Sequence, residues 1–76
     1  MRVTFKWDGN YIVADIYALI YNSVRGQLFI DQGDGTGFVC TDISDSTAER
    51  AIQDLRRYGY TDLSEFEFVW TDETPI

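Results

Sequence analysis

One stretch constrains the rest of the chain: Ser46-Thr47-Ala48-Glu49, with Ala48, Ala51, Ile52 and Leu55 at helical spacing and Gly59 beyond them. In a capping box the Ser46 hydroxyl accepts from the Glu49 amide, and the Glu49 carboxylate reaches back to the Ser46 amide. Donors that a helix start leaves unpaired are thereby satisfied. Gly59 stands where a left-handed residue ends such a helix, and Tyr60 follows at the position that covers Leu55. Arg56 and Arg57 fall in the last turn, where cations complement the helix dipole, with an anion site as the competing reading of the pair. The spacing predicts one helix, from a Ser46 cap to Tyr58, with an Ala/Ile/Leu face to bury.

Most of the remaining chain reads as strand and turn. Val3, Phe5 and Trp7 alternate with Arg2, Thr4 and Lys6, the period of a strand with one buried face, and Asp8-Gly9-Asn10 supplies a hairpin turn. In residues 11–21, Ile12, Ala14, Ile16, Ala18 and Ile20 fall on one strand face and Tyr11, Tyr17 and Tyr21 on the other. Ile12, Ile16, Leu19 and Ile20 also sit at helical spacing, so both readings stay open; the β-branched and aromatic content favours strand. Residues 22–26 read as a turn, 27–31 as a strand with Leu28 and Ile30 on one face, 32–36 as a turn and 37–41 as the returning strand. After a connection over 61–64, Phe66, Phe68 and Trp70 alternate within a last strand, 65–70. These patterns predict an α+β fold: a mostly antiparallel sheet of four to five strands, with one helix on one face.

At 76 residues the chain has material for one core, so residues 1–76 are expected to form one domain, with 71–76 as a flexible tail. Apolar residues at 45% are too many for a disordered chain. No signal peptide is evident, and residues 11–24 fall short of a membrane span. One Cys and no His exclude an internal disulfide, a Cys/His zinc site and a Ser-His-Asp or Cys-His centre. A reducing cytoplasm is the expected location.

Few catalytic readings survive. Asp31 with Asp34, or Asp42 with Asp45, could pair as acid and base, but such a pair needs a cleft that small domains seldom hold. The loop 31–37 mixes acids and glycines as calcium loops do. Its third and fifth positions are Gly33 and Gly35 and its twelfth is Asp42, where that motif needs acids and a Glu, so it reads as a hairpin turn. Cys40 has no basic neighbour in sequence and reads as an inert buried thiol rather than a nucleophile. No cofactor or metal is expected, and the chain is read as non-enzymatic. The tyrosines 11, 17 and 21 read as core or as a partly exposed protein-binding face, because a nucleic-acid platform would interleave Lys and Arg there.

The net charge of −7 is concentrated: residues 31–47 hold four acids and residues 59–76 hold five, with no base in either block. Solubility is one account of such blocks. The other is that carboxylates imitate a phosphate backbone, so that a protein with a basic nucleic-acid groove accepts this domain instead. If the end of the second hairpin meets the last strand, the blocks form one acidic surface. The residues expected to carry it are Asp31, Asp34, Asp42, Asp45, Glu65, Glu67, Asp72 and Glu73, each as an acceptor for Arg or Lys.

In size, acidity, lack of catalytic motifs and layout of strands around one capped helix, the chain resembles the small phage-encoded inhibitors of bacterial immunity, anti-CRISPR proteins among them. The resemblance implies a non-enzymatic partner of a bacterial defence complex, a CRISPR effector in particular, that blocks nucleic-acid recognition. Direct binding to nucleic acid or to a membrane is not expected. The alternative expectation is a protein-interaction module or a homodimer that uses its aromatic face or a strand edge.

Overall fold

The computed structural model describes residues 1–72. Among the described residues the fold is α+β: seven strands in two mostly antiparallel sheets, and a single helix. The first sheet holds β1 (Arg2–Trp7), β2 (Asn10–Asp15) and β6 (Tyr60–Asp62) in the order β2-β1-β6, with β6 parallel to β1. The second holds β3 (Ala18–Asn22), β4 (Gln27–Asp31), β5 (Gly37–Cys40) and β7 (Phe68–Thr71) in the order β3-β4-β5-β7, antiparallel throughout. The helix α1 spans Asp45–Tyr58.

Several boundaries differ from the sequence reading. Residues 11–21 are not one strand: Ile16 and Tyr17 leave β2, the Ile16 amide donates to the Met1 carbonyl at 2.8 Å and the Tyr17 amide to the Asp31 carbonyl at 2.7 Å. The chain changes sheets there and its alternation inverts. Ala14 and Ile16 are buried, whereas beyond the break Leu19 and Tyr21 pack on the core and Ala18 and Ile20 do not. Tyr11, Tyr17 and Tyr21 therefore share no face. Tyr11 and Tyr17 are 63% and 74% exposed, while the Tyr21 hydroxyl donates inward at the start of the helix.

The helix starts two residues earlier than expected. Its cap is Ser44, whose Oγ accepts from the Thr47 amide at 3.3 Å, and Ser46 lies inside the first turn. Burial explains the choice. With Ser44 as cap, the preceding residue and the fourth helical residue are Ile43 and Ala48, both buried, as a hydrophobic staple requires. With Ser46 as cap they would be Asp45 and Arg50, which cannot form one. The other end agrees with expectation: Gly59 has φ of +68° and its amide donates to the Leu55 carbonyl at 3.0 Å. Beyond it, residues 60–62 pair with β1 instead of forming a simple connection, and Tyr60 is exposed. The last strand begins at Phe68 rather than residue 65 and includes Thr71, which was expected in the tail.

The two sheets face each other across one core. Phe5 of β1 meets the rings of Phe38 and Phe68 edge-on at 6.0 and 5.7 Å, and the Trp7 indole donates to the Phe66 carbonyl at 2.9 Å. Ala48, Ala51 and Leu55 of α1 close the core with Leu28, Ile30, Cys40 and Leu63.

Candidate functional site

The antiparallel pairing of β5 with β7 brings Glu67 and Asp72 of the second acidic block to the sheet that carries Asp31 and Asp34, whereas Asp62 of that block lies in β6 of the other sheet. Gly37 faces Thr71 and Cys40 faces Phe68, and the Thr41 amide continues the ladder to the Glu67 carbonyl at 3.1 Å. Glu67 and Asp72 thus bracket β7, about 17 Å apart at roughly 3.4 Å per residue. Asp31 sits opposite Gly37, so Asp31, Asp34 and Asp72 gather at one end of the sheet. At the other end the Ile43 amide donates to the Gly26 carbonyl at 2.9 Å, which brings Asp42 and Asp45 beside the row ending in Glu67. Glu65 lies in the turn before that strand, and Glu73 lies outside the described residues. The expected surface is therefore two acidic ends of one sheet.

Asp31 and Asp34 are positioned by local chemistry. Asp31 Oδ1 accepts the Gly33 amide at 2.8 Å, and Asp34 Oδ1 accepts the amide and hydroxyl of Thr36. These turns mimic the backbone and set the loop, leaving the second oxygen of each carboxylate without an assigned bond. The Thr36 hydroxyl, aided by the amide, holds the Asp34 carboxyl below the usual carboxylate range, so it is an ionised acceptor and not a proton donor at neutral pH. Asp42 is exposed with φ of +56°, a left-handed conformation that Asp tolerates better than most residues. Asp45 is held from another element: the Tyr21 hydroxyl donates to its Oδ1 at 2.7 Å, tying β3 to the start of α1. That bond to Asp45 pushes the Tyr21 phenol up.

Among the described residues none of the candidate acids forms an ion pair; the pair present joins Arg2 to Asp15 at 3.3 Å, on the outer face of the other sheet. Lys6 lies on that same face, over the Tyr11 ring at 6.0 Å. Arg50, Arg56 and Arg57 belong to α1, and Arg25 stands in the turn between β3 and β4. The bases are thus mostly segregated from the acid-bearing sheet. A shallow groove of about 450 Å³ between β3 and α1 is lined by Tyr21, Asp45, Glu49, Ile52 and Arg56 among others.

One feature escaped the sequence reading. The register places Ile20, Phe29, Val39 and Val69 directly opposite one another, strand to strand, on the outer face of the four-stranded sheet. Asp31 shares this face two residues from Phe29, and Glu67 shares it two residues from Val69. Its one trace in the run Gln27-Leu28-Phe29-Ile30-Asp31 is Phe29, an apolar residue on the face that Gln27 and Asp31 share. Cys40 is fully buried within the inner face, and burial pushes its thiol up to about 11.

No helix among the described residues is long and apolar enough to cross a membrane. Comparison with protein-family models, with curated proteins and with solved structures returns no match.

Proposed function

We propose that this domain is a non-enzymatic inhibitor that occupies the basic nucleic-acid-binding surface of another protein and so competes with nucleic acid. The observation that supports the reading is the β5–β7 ladder, which brings Glu67 and Asp72 of the second block to the sheet that carries Asp31 and Asp34, with no ion pair to neutralise them among the described residues. Unpaired carboxylates on rigid strand ends offer Arg and Lys side chains acceptors at fixed spacing, and their summed field steers a basic partner into contact. The resemblance to small phage inhibitors makes a guide-loaded CRISPR effector the first partner to test. Its complex with the domain should weaken as salt rises, because exposed charges are screened within about 8 Å at physiological ionic strength. It should weaken further when Asp31, Asp34, Asp42, Glu67 and Asp72 are changed to their amides. Affinity indifferent to both changes would sink the reading.

A second reading rests on β7, the last strand in its sheet, where Val69 and Trp70 are 47% and 56% exposed. Such an edge accepts a further strand, from a partner or a second copy. Sedimentation at several concentrations separates the homodimer form of this reading, which a concentration-independent monomer excludes.

A further inference from the structure

We propose that the outer face of the four-stranded sheet is a docking surface for a protein partner whose apolar contact is flanked by Lys or Arg side chains. The inference rests on the acidic-surface reading and names what the partner must present. Ile20, Phe29, Val39 and Val69 form a continuous apolar row across all four strands, and Ile20, Phe29 and Val39, although partly buried, do not pack on the core. The Phe29 ring lies against Gly37, whose bare Cα gives it room: a Cβ there would stand 2.7 Å from Phe29 Cε1. The ring therefore lies close against β5.

The charges beside the row choose the occupant. Asp31 stands past Phe29 toward one end of the sheet and Glu67 past Val69 toward the other, and the remaining positions of this face are Ala18, Asn22, Gln27, Gly37, Thr41 and Thr71. Among the described residues no Lys or Arg lies on it. A nucleic acid or an anionic membrane would meet carboxylates on either side of the row and be repelled. A second copy stacked face to face would set acids against acids, whose like charges oppose the contact. An amphipathic helix or ridge with Leu-like side chains in the centre and Lys or Arg on its flanks matches both features at once.

The test uses the full chain, nitrogen-15 labelled, with two synthetic peptides of equal positive charge: an amphipathic Leu/Lys helix, and the same peptide with Ser in place of each Leu. The Leu peptide should shift the amides of Ile20, Phe29, Val39 and Val69 and should still bind in about 1 M salt, where charges are screened beyond about 3 Å. The Ser peptide should bind only at low salt. The triple variant Ile20→Thr, Val39→Thr, Val69→Thr keeps strand-forming residues and every charge, and should lose at least about tenfold in affinity for the Leu peptide alone. If the two peptides bind alike at low salt and neither survives high salt, the docking inference falls and the acidic-surface reading stands. If neither binds at low salt, that reading falls too. A dimer in sedimentation that the triple variant abolishes would overturn the proposed occupant in favour of a second copy.

Discussion

Gly37→Ala should be among the most damaging single-methyl additions to this chain. Gly37 shows no left-handed backbone, so the cost is steric: an added Cβ would stand 2.5 Å from the Ile30 carbonyl oxygen and 2.7 and 3.0 Å from Phe29 Cε1 and Cζ. The ring can swing away, but the carbonyl belongs to β4 and moves only if the β4–β5 pairing moves. Overpacking usually costs about 1–3 kcal/mol, and a clash with backbone puts this site near 3. A domain of this length has a total stability of roughly 4–11 kcal/mol at 0.05–0.15 per residue. At about 4–8 °C per kcal/mol the melting temperature should fall by roughly 12–24 °C, read by circular dichroism, with the urea midpoint falling in step. Gly9→Ala is the control, since Gly9 has φ of +78° and open space around it, so only the left-handed strain of about 1–2 kcal/mol applies. In a Phe29→Ala background, Gly37→Ala should keep more than half of its cost, because the carbonyl contact persists. If Gly37→Ala melts no lower than Gly9→Ala, the β4–β5 geometry that carries the acidic sheet is wrong.

Three further outcomes follow from the same geometry. Ser44→Ala should lower stability by about 1 kcal/mol in a thermal melt, while Ser46→Ala stays within about 0.5; the reverse order would return the cap to Ser46. Cys40 should resist a thiol reagent at pH 8 until the chain unfolds, since it is buried with its thiol pushed up to about 11, and prompt stoichiometric labelling of the folded protein would contradict this. Thr36→Val should raise the Asp34 carboxyl toward its ordinary value, as read by carboxyl carbon-13 titration. Because the folded value is depressed, the stabilisation this bond gives is present above the unfolded carboxylate range and is lost as pH falls through the folded one, and the variant should lack that acid-side loss.

The second hairpin was legible because its signals are local: Leu28 and Ile30 alternate, Gly33 and Gly35 take positive φ between the strands, and Gly37 begins the return. Gly59 was legible for the same reason. The sheet change at Ile16 and Tyr17 was not, because the apolar alternation runs through the break with no Gly or Pro to mark it. Only the tertiary bonds to Met1 and Asp31 invert the faces. The strand over residues 60–62 is three residues long and pairs in parallel with β1 across most of the chain, which no local pattern encodes. The cap sits at Ser44 and not at Ser46 because the Ser46–Glu49 signature is purely local, whereas the staple that selects Ser44 depends on the tertiary burial of Ile43. Of the acidic site, the two blocks were legible as composition and their convergence depended on the β5–β7 pairing. The apolar row between them needed the register of four strands, and so lay beyond the sequence.

The central claim, that the acidic sheet displaces nucleic acid from a basic groove, is tested most directly by fluorescence anisotropy of labelled target DNA bound to a guide-loaded CRISPR effector. The parent domain should release the DNA in proportion to its own occupancy, and the variant with Asp31, Asp34, Asp42, Glu67 and Asp72 changed to their amides should release little at the same concentration. Release by the neutralised variant equal to the parent's, or no release by the parent from any of a panel of such effectors, would contradict it.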